Sequence, residues 1–275
     1  MSKSILSKIP SPFQLKKVME KYPVMYEESM NTVLVQEVIR YNKLIQTIIQ
    51  SLNDLLKALK GLVVMSQQLE EMSISLFNNT VPKVWADKAY PSLKPLGAWV
   101  DDLVERVKFI QGWITDGIPL VFWFSGFFFP QAFLTGTLQN YARRTKISID
   151  VISFDFQVIK TPYTEVTEKS EGGCYIRGLY IEGARWSYGA HELTESRPKE
   201  LYTEVPVILL MPMANRGTPD KGVYDCPLYK TLTRAGTLST TGHSTNFVVS
   251  IELPTSMPQY HWIKRGVAML CALNY

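Results

Sequence analysis

Residues 119 to 144 read PLVFWFSGFFFPQAFLTGTLQNYARR, and this stretch constrains the fold more than any other. Phe122, Trp123, Phe124, Phe127, Phe128 and Phe129 crowd around a Ser125-Gly126 pair. The density is that of a membrane span, yet Pro119, Ser125, Gly126, Pro130 and Gln131 interrupt it before the ~20 apolar residues that a bilayer requires. The stretch therefore belongs inside the protein. Its rings could line a ligand pocket, but aromatics most often form the contact between two packed layers, and they are expected here to join a helical part to a strand-built part. Phe128→Ala is then expected to cost about 3 to 5 kcal/mol.

The first half has helical periodicity. Leu34, Val38, Tyr41, Ile45, Ile48, Leu52, Leu55 and Leu59 recur at alternating steps of four and three, with Ile39, Ile49 and Leu56 widening the stripe. One long helix from Leu34 to Lys60 follows, about 45 Å in length, capped by Ser29 or Asn31 and stopped at Gly61. The wide stripe favours packing inside its own domain over a coiled-coil dimer. Further helices are expected from Ser66 to Phe77, from Leu96 to Thr115 and from Pro130 to about Lys146, with a short helical turn among Pro82, Pro91 and Pro95. On the third long helix Asp102 and Arg106 stand four apart, which reads as a solvated pair worth a few tenths of a kcal/mol.

From Ile147 the period becomes two. The inward parity slips between Val151 and Ile152, which predicts a β-bulge or a strand that changes faces. More strands are expected at Cys174 to Ile181, Val205 to Met211, Asn246 to Leu253 and Trp262 to Leu273. The fold class is α+β: a bundle of long helices (residues 1 to 146) followed by a small antiparallel β-barrel or sandwich (residues 147 to 275).

No catalytic constellation emerges from the residues, and no catalytic, cofactor-binding or metal-binding residue is assigned. Gly217 to Gly222 has two glycines at phosphate-loop spacing but continues with Val223 and Tyr224 instead of Lys and a hydroxyl, so it reads as a hairpin turn. The segment Gly172 to Gly183 lacks GxG and reads as a strand with close backbone approaches. His191, His243 and His261 lie apart, no GxSxG turn accompanies them, and the Thr240 to Thr245 turn is expected to bond its own backbone. Nothing brings Glu182 to Glu192 or Glu195 as an acid-base pair. Cys174, Cys226 and Cys271 are odd in number and widely spaced, which argues against a disulfide framework or zinc ribbon and for a reducing compartment. A net charge of +4 without a like-charge run argues for neither nucleic acid nor an anionic membrane as partner. MSKSILSKIPSP lacks the apolar core of a signal peptide, so secretion is not expected. From residues alone, a free-standing helical-plus-barrel module that binds an apolar ligand or a protein partner fits.

Several long strings add a second line. SGFFFPQAFLTGTLQNYAR from Ser125 to Arg143, ESMNTVLVQE from Glu28 to Glu37, YPSLKPL from Tyr90 to Leu96, GTLSTTGHSTNFVV from Gly236 to Val249 and HWIKRGVAMLCAL from His261 to Leu273 resemble, in order, the C-terminal region of dynein heavy chains. The wording is closest to the axonemal branch, single-headed inner-arm type. The resemblance runs from about Pro10 to the end of the sequence. It implies a non-catalytic C-terminal domain that packs on the AAA+ ring of the same heavy chain and tunes an ATP-driven microtubule motor in cilia or flagella. It also implies that ATP and magnesium bind elsewhere in the parent, that microtubules are reached only through the parent's stalk, and that light and intermediate chains associate with the parent. The axoneme and cytoskeleton are the implied location, and Met1 need not be a natural start. One departure is Ser187, where the family leads one to expect an acidic residue after Trp186.

Overall fold

The structure is a computed structural model that describes residues 2 to 217, 222 to 234, 236 to 238 and 244 to 275. His243 and most of the Gly217 to Gly222 turn lie outside the described residues.

The helices are α1 (Ser2–Lys8), α2 (Leu15–Lys21), α3 (Ser29–Leu59), α4 (Gln67–Phe77), α5 (Lys83–Ala86), α6 (Leu96–Asp116), α7 (Pro130–Thr145) and α8 (Gln259–Lys264). Helix α3 is the axle, touched by α1, α2, α4, α5, α6 and α7. Its stripe from Leu34 through Leu55 is buried as the periodicity predicts. It begins earlier than expected because the Glu28 carboxylate accepts the Met30 N–H and caps the helix. Ser29 and Asn31 are instead drawn into tertiary contacts, the Asn31 side-chain amide donating to the Pro23 carbonyl. Of the residues that widen the stripe, Ile49 and Leu56 are half-buried against these neighbours, whereas Ile39, and Leu59 at the end of the stripe, are exposed.

The strands are β1 (Val121–Trp123), β2 (Ile152–Val158), β3 (Cys174–Arg177), β4 (Tyr180–Glu182), β5 (Ala184–Ser187), β6 (Glu192–Glu195), β7 (Tyr202–Glu204), β8 (Ile208–Ala214), β9 (Val223–Tyr229), β10 (Phe247–Pro254) and β11 (Ala268–Leu270). They form a four-stranded sheet, β1-β3-β8-β2, a five-stranded sheet, β10-β9-β11-β4-β7, and the hairpin β5-β6. The α+β class holds, but the expected closed barrel does not: the sheets are open. Nor is the order a helical bundle followed by antiparallel strands. The aromatic segment itself supplies β1, which lies parallel to β3, while β11 lies parallel to β9 and α8 falls between β10 and β11.

Three local expectations need correction. The parity slip before Ile152 is a 3-10 turn at Ile149–Val151 that leaves Val151 exposed, not a bulge; the strand proper starts at Ile152 and pairs in register with β8. The stretch from Trp262 to Leu273 opens as helix α8, because Pro258 starts a turn that buries Trp262 alone and leaves Ile263 exposed, with Gly266 (φ 64) ending it. Finally, Cys174 to Ile181 is two strands in two different sheets. They part at Gly178 (φ 85), where a Cβ would overlap the Trp123 indole, so only glycine lets the backbone cross there.

Candidate functional site

At the junction of helices and sheets, side chains grip the backbone of the aromatic segment residue by residue. The Ser125 hydroxyl donates to the Gly178 carbonyl, the point where the backbone passes from one sheet to the other. On α3, the Tyr41 hydroxyl donates to the Gly126 carbonyl at 2.7 Å. On α6, Arg106 donates to the Phe127 carbonyl at 3.4 Å. Back on α3, the Glu37 carboxylate accepts the N–H groups of Phe128 at 2.5 Å and Phe129 at 3.0 Å. These amides precede Pro130, which opens α7 without an N–H of its own, so an anion sits where the α7 dipole favours one.

The charges are buried. Glu37 is 0% exposed and Arg106 3%. Burial pushes the Glu37 carboxyl up to about 7, against the pull of the Phe128 and Phe129 amides and of Arg40 and Arg106. Arg40 approaches Glu37 to 3.5 Å and lies over the Phe129 ring. Arg106 binds Asp102 through Nε at 2.7 Å, with its guanidinium 3.8 Å from the Tyr90 ring centre and near Trp123. The Asp102–Arg106 pair is therefore no solvated pair: a planar cation is sandwiched into an aromatic core. Nearby, Phe133 packs against Phe122 and Phe127 with ring centres 4.7 and 4.8 Å apart, and Phe124 is fully buried. Phe128 is half-buried, edge-on to Tyr41 and Tyr90, and Phe129 is exposed.

This arrangement fixes the geometry of the junction. The carboxylates weighed from sequence are separately engaged: Glu182 with Arg234, Glu192 with the Ser256 hydroxyl, and Glu195 with Arg265 and His261. His191 adopts a positive φ of 57 at the tip of the β5-β6 hairpin. Burial raises the thiols of Cys174 and Cys271 to about 12 and that of Cys226 as well, away from the thiolate form. Among the described residues no cluster of His, Cys, Asp or Glu could hold a metal ion.

Sequence reasoning passed over Glu37 and misread Arg106 as solvated, although a signal existed. Met30, Leu34, Glu37, Tyr41 and Leu44 keep the four-three step, as do Trp99, Leu103, Arg106, Ile110 and Trp113. A charge on such a stripe is buried by position and needs a partner.

Comparison with known proteins completes the picture. Residues 1–271 match the family model for the C-terminal domain of the dynein heavy chain. The chain is 66% identical over 275 residues to dynein axonemal heavy chain 1 of Homo sapiens, an alignment that takes in 100% of the chain and 6% of that relative. It is 54% identical over 275 residues to dynein axonemal heavy chain 3 of Mus musculus, with 100% of the chain and 7% of the relative aligned. To dynein axonemal heavy chain 12 of Rattus norvegicus it is 52% identical over 274 residues, again 100% of the chain, and 9% of the relative. The chain thus spans a small fraction of the relatives it matches.

Proposed function

The chain belongs to the family of C-terminal domains of dynein heavy chains, and from that membership we propose that it serves as a non-catalytic mechanical element of an axonemal heavy chain. In this reading it packs on the AAA+ ring of the same heavy chain and tunes a microtubule motor that drives ciliary or flagellar movement. ATP and magnesium bind in ring modules outside this chain, microtubules are reached through the parent's stalk, and light and intermediate chains attach to the parent. The location is the axoneme. The ESMNTVLVQE wording that resembles single-headed inner-arm chains favours that branch.

The observation that carries the proposal is the family match across nearly the whole chain. The clamp supplies the physical logic. A domain whose helices and sheets are tied through one short segment passes strain between whatever touches its two sides, with no bond broken in itself. The alternative, a module that encloses an apolar ligand, has less support, because the rings that would line its pocket pack against one another.

The test compares the intact heavy chain with one lacking this domain, in ATP turnover and microtubule gliding. Turnover should persist while gliding velocity or unbinding force changes. Identical gliding and force in both forms would defeat the proposal, as would ATP turnover by this chain alone.

A further inference from the structure

Helix α3 ends in a Schellman motif. Gly61 (φ 71) donates its N–H to the Ala58 carbonyl at 2.9 Å, and the Leu62 N–H donates to the Lys57 carbonyl at 3.0 Å. Such a motif usually packs the residue after the glycine onto the third or fourth residue from the helix end, here Lys57 or Leu56. At the other end Ser66 caps α4 by accepting the Leu69 N–H at 3.3 Å. The residue before a cap of this kind usually packs on the fourth helical residue, which here is Glu70. Leu62 nonetheless stays exposed, and the position on which Met65 would pack carries a charge.

The four residues between these pins are all apolar and all exposed: Leu62 70%, Val63 44%, Val64 90% and Met65 40%, with Leu59 beside them at 60%. They are held outward by hydrogen bonds at both ends, so little ordering remains to be done on binding. A contiguous apolar tip of this kind marks an interaction surface. Lys57 is engaged by Asp54 at 3.6 Å, which leaves the exposed Lys60 to meet a carboxylate on the partner's rim.

We infer that the Leu62–Met65 tip docks into an apolar cleft, rimmed by carboxylate, on the upstream part of the same heavy chain. The occupant follows from length: relatives of this chain carry most of their polypeptide outside the matched region. The inference rests on the proposed function and adds to it the surface that makes the contact.

The test uses the full heavy chain with the photo-crosslinker p-benzoylphenylalanine placed, in separate preparations, at Val64, at Tyr26 (72% exposed) or at Tyr188 (61% exposed). After irradiation, adducts are mapped by mass spectrometry. Adducts from position 64 to upstream residues of the same heavy chain support the inference. Suppose instead that position 64 reaches only water, lipid, tubulin or a second copy, while position 26 or 188 links upstream. Docking by the tip is then overturned and the proposed function stands. If no position links upstream, both fall.

Discussion

Glu37, in the third turn of α3, accepts the backbone N–H of Phe129, the residue just before α7, at 3.0 Å. A carboxylate that no water reaches thus sets where a helix far along the sequence begins, and its ionisation is a stability term. The carboxyl is raised from 4.5 to about 7 in the fold, chiefly by burial. Between those values the folded form holds a proton that the unfolded polypeptide has lost, so stability falls as pH rises from about 4.5 to about 7 and levels above that. Glu37→Gln removes this slope. Urea midpoints across the pH range check it, and equal slopes in both proteins would refute it.

Arg106 invites a harsher test. Arg106→Ala leaves Asp102, itself little exposed, and the Phe127 carbonyl without their cation. A loss of about 3 to 5 kcal/mol is expected in chemical denaturation. The double variant Asp102→Asn with Arg106→Met should recover part of that loss, since it removes the stranded charge; no recovery would show that the pair matters by packing alone.

Truncating the rings should rank by burial. Phe124→Ala, at a fully buried site, is expected to cost about 3 to 5 kcal/mol. Phe128→Ala falls below that because Phe128 is only half-buried and rests edge-on against Tyr41 and Tyr90. Unfolding curves that reverse this order would contradict the placement of the segment.

Gly178→Ala should destabilise twice over, through its left-handed backbone and through overlap with the Trp123 indole. The backbone part alone is worth about 1 to 3 kcal/mol. Trp123→Ala opens space for the new methyl group, so the double variant should lose less than the sum of the single ones.

Much of the helical half could be read from spacing. The stripe on α3 predicted its burial, and Ser66, Gly61 and Pro130 marked helix ends as their chemistry requires. What escaped was non-local. Alternation over Trp262 to Leu273 mimicked a strand, because a single buried Trp followed by a buried-on-both-faces β11 looks the same in one dimension. Gly178 was visible, but the indole that makes it obligatory is contributed by Trp123, and sequence separation hid the pair. The site was lost in the same way: Asp102 beside Arg106 looks like any exposed helical pair until Tyr90 and Trp123 arrive from elsewhere to cover it.

The grip on residues 125 to 129 has a kinematic consequence. Its anchors belong to α3, to α6 and to the corner at Gly178, so tilting the helices against the strands must break all of these bonds together. A torque applied at either end therefore turns the whole body rather than bending it, and any flexing in the assembled protein falls at its borders with neighbours.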